Sequence, residues 1–438
     1  MQNSFIQKAL MALMVGALSL QLATASDSEQ VLPQYDNNKH MGVATCGNAI
    51  CHGVRNLSEP SNVRQNEYHT WLLNDRHSQS YKTLMNEQSK RIAKNLGLKS
   101  AATADICLDC HADNVREEMR GDEFHITDGV GCEACHGGSE KWLATHTLTP
   151  YSATRNISDG MYPSAPLANR TELCTSCHVG NSKKLANHNI MGAGHPRLGF
   201  ELDTFTARQP QHYDVDADYL ERKNADTPIR RMLIGAALHA RATAQNLTGS
   251  LLDHPQGFPE IALFNCHSCH KPLDDQRWQN RPTTAGLKPG SIRLNDGSLI
   301  LLAAVSGAID KAFQDKIVRA IKDLHVASRS SIAEVKRAAD QVIQLTEQAE
   351  TKFKRLTISK NSSQLMLIEL AKFGVRGEYR DYTAAEQALM AMDAIHYQYP
   401  GNLTLESMLN KGFQLTKSDE TFEPNDFRTM LSSFLKSE

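Results

Sequence analysis

Cys107-Leu-Asp-Cys110-His111, Cys132-Glu-Ala-Cys135-His136, Cys174-Thr-Ser-Cys177-His178 and Cys266-His-Ser-Cys269-His270 share one spacing, and that spacing governs how the chain is read. A fifth stretch, Cys46-Gly-Asn-Ala-Ile-Cys51-His52, has the same ending with two more residues between its cysteines. All ten cysteines of the 438-residue chain are used. Zinc sites, redox dithiols and disulfide frameworks also use paired cysteines, but none needs histidine straight after the second cysteine every time. Covalent attachment of c-type haem does: two thiols bond the porphyrin edge and the following histidine ligates iron. The motifs therefore predict five haem c groups. Cys46, Cys51, Cys107, Cys110, Cys132, Cys135, Cys174, Cys177, Cys266 and Cys269 are the attachment residues, and His52, His111, His136, His178 and His270 the proximal ligands.

The motifs lie between residues 46 and 270, so about 45 residues serve each haem, too few for a conventional apolar core. The haems themselves are expected to form the core of residues 26–285, a multihaem cytochrome c domain with little regular structure around stacked haems. Residues 1–25 read as an export signal: Lys8 gives the positive start, Ala9–Leu20 the apolar run and Ala23-Thr-Ala25 the cleavage site. Export predicts a periplasmic protein, in a compartment that suits c-type haem.

Residues 286–438 change character, and with them the predicted fold class is mainly α, the haem domain being followed by a C-terminal helical bundle. Apolar residues recur with helical period from Leu299 to Leu324. Ser331-Ile-Ala-Glu334 is a capping box, followed by Val335, Val342, Ala349 and Leu356 every seven residues. Ser363–Phe373 reads as a third helix, and Thr383-Ala-Ala-Glu386 opens a fourth that runs through Met392 and Ile395. His325 and His396 within this region read as surface or packing residues. The bundle is expected to cover the haem domain or hold a partner.

The face of each haem opposite its motif histidine must carry His, Met, another ligand or nothing. With five of eighteen histidines spent, thirteen remain, enough for every iron to be bis-His. Glu67-Tyr-His-Thr-Trp71 with Asp75-Arg-His77-Ser-Gln-Ser-Tyr81 resembles a segment of the cytochrome c-554-like family of multihaem cytochromes. So do Gly129-Val-Gly-Cys-Glu-Ala-Cys-His-Gly137 with Glu140-Lys-Trp-Leu-Ala-Thr-His146, and Asn187-His188 with Ala193-Gly-His-Pro-Arg-Leu-Gly-Phe-Glu-Leu202. Phe264 to His270 and Lys39-His40-Met-Gly-Val-Ala-Thr-Cys46 complete a resemblance that covers residues 39–280 in order. It implies that His77, His146, His188 and His195 are distal ligands, with His40 as the fifth. His212 and His239 are reserve ligands that read first as structural residues, and His69, His125, His254 and His267 show no distinguishing pattern. The best-known arrangement in that family has four haems against five motifs here, so pairwise haem geometry does not carry over.

Dense covalent haems make a conducting chain, so electron transfer is expected between redox proteins, from a respiratory donor to a reductase or conduit, with a membrane-associated respiratory complex as a candidate partner. The alternative is an oxidoreductase of a small nitrogen or sulfur compound at one five-coordinate haem. The surplus of histidine favours the carrier. A formal net charge of −2 gives no case for nucleic acid as a partner.

Overall fold

Asp75 decides the shape of the stretch from Tyr68 to Leu96. Tyr68 to Leu96 reads as one helix, but Asp75 is extended and its carboxylate accepts the backbone N–H of His77. The chain therefore breaks into α1 (Glu67–Asn74), a 3₁₀ turn (Arg76–Gln79) that runs into one helical turn (Ser80–Thr83), and α2 (Glu87–Asn95), the last begun by Asn86, whose side chain accepts from Ser89 N–H. His77 sits on the turn rather than along a helix. In this computed structural model the described residues are 31–55, 64–148, 152–222, 226–253, 259–270, 279–288 and 290–437. The expected export signal at 1–25 and His254 lie outside them. Met1–Leu32 is a separate unit, and Pro33–Glu438 is one compact unit, whose architecture follows.

Short helices continue with α3 (Asp105–His111), α4 (Glu133–His136), α5 (Leu167–His178), α6 (His188–Gly192) and α7 (Leu202–Arg208). Three motif histidines are thus the last residues of α3, α4 and α5. The apolar cluster in the first part of this region is small: Leu84, Ala93, Ala101, Leu108 and Ala112. Among the described residues strand pairing is confined to two isolated bridges, His40 with Arg120 and Phe264 with Leu294, and the fold is mainly α.

The large core begins at α8 (Pro228–Gln245), where Thr227 caps the first turn and Pro228 occupies a position that needs no N–H. α8 buries Ile229, Met232, Leu233, Ile234 and Leu238, so it is apolar nearly all round and lies inside. Gly235 lets Leu202 of α7 approach: a Cβ there would meet the Leu202 Cβ at 2.5 Å. The expected helix from Leu299 to Leu324 is two, α9 (Gly297–Gly307) and α10 (Lys311–Ala327), because Asp310 turns out of the helix and caps Phe313 N–H. α9 is buried from Gly297 to Ser306. Then come α11 (Ile332–Arg355), α12 (Lys360–Val375), α13 (Tyr382–Gln398), α14 (Leu403–Leu415) and α15 (Pro424–Ser437).

Ser331 caps α11 as its sequence implies. α13 is capped two residues earlier than expected, by Asp381 in place of Thr383, and Glu386 binds Arg197. α8 packs on α5, α7, α9, α11 and α13, so one apolar cluster runs from Leu167 through Phe434 and crosses residue 285. None of the described helices is long and apolar enough to cross a membrane.

Candidate functional site

Each of the five motif histidines has one other imidazole facing it. The ring centres are 6.2 Å apart for His52 and His146, and 6.3 Å for His111 and His195. They are 6.3 Å apart for both His136–His212 and His178–His77, and 6.4 Å for His270–His188. Two imidazoles bonded to opposite sides of one metal, each nitrogen about 2 Å from it, put their ring centres about 6 Å apart. Five pairs in so narrow a band, each with one motif histidine, fit bis-imidazole ligation of haem iron. Two protein ligands are all that such an iron takes.

The second nitrogen of several rings is held as a ligand requires. Nδ1 of His52 meets Glu67 Oε2 at 3.0 Å, and Nδ1 of His77 meets Asp75 Oδ1 at 2.9 Å. Backbone carbonyls take the other three: Ser80 O for His111, Leu143 O for His146 and Pro196 O for His195. An Nδ1 hydrogen donated this way fixes the tautomer and leaves the Nε2 lone pair for iron, and a carboxylate acceptor makes the ring more basic. The hydrogen bonds to Glu67 and Asp75 raise the pKa of His52 and His77, against burial. Burial lowers that of His111, His178 and His212.

His77, His146, His188 and His195, the distal ligands that the resemblance implies, each lie opposite a motif histidine. His40 does not. Its ring is fully buried between Asp113 Oδ2, 2.7 Å from Nδ1, and the Pro33 carbonyl, 3.3 Å from Nε2. Both nitrogens face acceptors, so both act as donors and no lone pair is left for a metal. Burial opposes charging, but the hydrogen bond to Asp113 and the nearby charges of Asp113, Glu133 and Asp36 outweigh it, lifting the His40 pKa to about 9. His212 occupies the fifth facing position instead. Its one sequence signal was Pro210, which stiffens the turn after α7 as Pro196 does beside His195.

The remaining histidines have other work. His239 is enclosed beside Phe200, its pKa lowered to about 4 by burial. His69 binds the Gly53 carbonyl, and His267 lies against Phe422 of the bundle. His325 is a packing residue, paired with Asp296.

None of the ten cysteines is paired in a disulfide. The Cys46 thiol lies against Cys132, and Cys110 against Cys177, so motifs distant in sequence share an edge. The third motif is anchored by Glu133 inside it. That buried carboxylate accepts N–H groups from Met41, Gly42 and Ser139, tying the third motif to the segment that leads into the first. Trp71 donates to the Val130 carbonyl just before the same motif, and Trp142 packs edge-on against His146.

Residues 45–137, which hold the first three motifs, match the family model described as cytochrome c554 and c-prime. No curated protein and no solved structure matches the chain.

Proposed function

We propose that the chain, whose residues 45–137 match the cytochrome c554 and c-prime family model, is a c-type cytochrome with covalently bound haem c, a five-haem electron relay working in the periplasm after loss of residues 1–25. Each motif's two cysteines hold one haem. His52 with His146, His111 with His195, His136 with His212, His178 with His77 and His270 with His188 would hold the five irons. When bound, each haem iron supplies one-electron ferric–ferrous chemistry. The protein's part is to fix the two imidazoles, their tautomers and the spacing between motifs. Bis-His ligation sets potentials lower than His/Met ligation would.

The observation that carries this reading is that every motif histidine has a facing imidazole. A reductase or oxidase of small nitrogen or sulfur compounds would need one motif histidine that faces none. Electrons would pass between redox proteins, one in a membrane-associated respiratory complex. The helices after residue 285 would cover the haem segment and hold that partner.

Two measurements on the purified protein test the reading. Mass spectrometry is expected to give an increment of five haems, and an increment of four would remove the longer first motif from the set. Low-temperature EPR of the oxidised protein is expected to show low-spin ferric signals alone, unchanged by nitric oxide. Those signals should fall into two kinds. The ring planes are near parallel in the first and fifth pairs, at 14° and 32°, and near perpendicular in the other three, at 83°, 87° and 76°. Parallel planes split the iron π-orbitals and give three resolved g-values. Crossed planes leave them nearly degenerate and give one large g-value. A high-spin signal abolished by nitric oxide would replace the relay with an enzyme.

A further inference from the structure

Lys184 follows the fourth motif by six residues and is turned inward, with 8% of its surface exposed. Asn181 makes the turn, its side chain accepting the N–H groups of Lys183 and Lys184. The Lys184 Nζ then has three partners: Gln34 Oε1 at 2.8 Å, the Asp109 carbonyl at 3.2 Å and Cys177 Sγ at 3.2 Å. Asp109 is inside the second motif and Cys177 inside the fourth, so one ammonium joins the two where the Cys110 and Cys177 thiols meet. A charged lysine has three hydrogens and a neutral one only two, so three acceptors around Nζ mark the charged form. The acceptors are an amide oxygen, a peptide carbonyl and a sulfur that becomes an uncharged thioether once haem is attached. The Asp109 carboxylate is occupied separately, by Gln34 Nε2 and Asn114 Nδ2.

We infer that Lys184 is a positioning cation that raises the reduction potential of the haem on the fourth motif, and to a lesser extent that on the second. This inference rests on the reading that those motifs carry haem. A positive charge held away from water acts on the added electron at low dielectric, and reduction of a ferric haem brings one negative charge next to it. The electron is therefore held more tightly at the junction of the two motifs than at a haem without such a neighbour. Part of the relay becomes a resting place for charge.

The test is a mediated spectroscopic redox titration of the purified holoprotein and its K184M variant, with haem content of both measured by mass. With five haems retained, at least one midpoint potential in K184M is expected to fall by the equivalent of a tenfold loss in reduction equilibrium, about 59 mV for one electron. K184R, which keeps the charge, is expected to keep the wild-type potentials. K184Q, which keeps a polar side chain without charge, should behave as K184M, and it replaces K184M as the readout if that variant does not fold. Unchanged potentials in a fully loaded neutral variant would overturn the inference, leaving Lys184 a mechanical link. A wild-type protein lacking haem on either motif would instead overturn the reading beneath it.

Discussion

Replacing His212 with alanine is expected to convert one of five haems from low to high spin, while replacing His40 leaves all five low spin. The two residues are the point at which family resemblance and geometry part. His212 faces His136 across 6.3 Å, whereas both nitrogens of His40 already point at acceptors. In H212A the iron of the third motif loses its second imidazole, so a high-spin EPR signal should appear, and nitric oxide should bind to about one haem in five. H40A should show neither change. Its cost is stability: the buried Asp113 carboxylate loses its partner, at about 3 kcal/mol. A high-spin signal in H40A, or its absence in H212A, would reverse the assignment.

The His40 contribution also has a pH signature. Its pKa rises from 6.5 to about 9 on folding, so the charged form is favoured by the native state. The stabilisation is complete below pH 6.5 and is lost as pH rises through about 9. The stability difference between wild type and H40A, from denaturant unfolding, should shrink over that interval.

The second large effect is expected at Arg281, which is wholly buried. Its guanidinium pairs with Asp296 and, at 3.1 Å, with Asp381, and Asp296 also accepts from His325 Nε2 at 2.7 Å. Beside it, both oxygens of Glu378 are taken by Thr283 N–H and hydroxyl. Burial alone would raise the Asp296 pKa, but Arg281 and His325 hold it well below the usual carboxylate range. R281M would leave two carboxylates buried without their counter-charge, a loss of about 3–5 kcal/mol. The same segment supports the fifth motif, because Asn265 N–H bonds to the Arg293 carbonyl and Arg293 N–H to Ser268 Oγ. Denaturant unfolding followed at once by circular dichroism and the haem Soret band should show both transitions moving to lower denaturant. A shift in the circular dichroism alone would mean that the fifth motif does not depend on this cluster.

How legible these features were depends on whether they are local. The capping residue Ser331 announces α11, and the motif spacing announces the attachment sites, because each needs only a few neighbouring residues. The break between α9 and α10 was carried by Gly307 and Asp310, punctuation that the apolar stripe running through it masks. Asp75 broke the earlier stretch through a side-chain bond to His77 that periodicity does not register. Distal histidines are supplied from elsewhere in the chain: 94 residues separate His52 from His146, and 101 separate His77 from His178. Four of them come with recognisable flanking sequence, whereas His212 has only a neighbouring proline. The burial of His40 depends on Asp113, 73 residues away.

The packing of α8 bears on how the protein is manufactured. Of the helices against it, α9, α11 and α13 all begin after residue 296, beyond the last motif at residue 270. A polypeptide is delivered from its N-terminus, so every motif emerges before the helices that enclose α8 exist. Until then α5, which ends in His178, lacks the completed support behind α8. Closure of the C-terminal helices is then the last step in backing the segment that ends in His178.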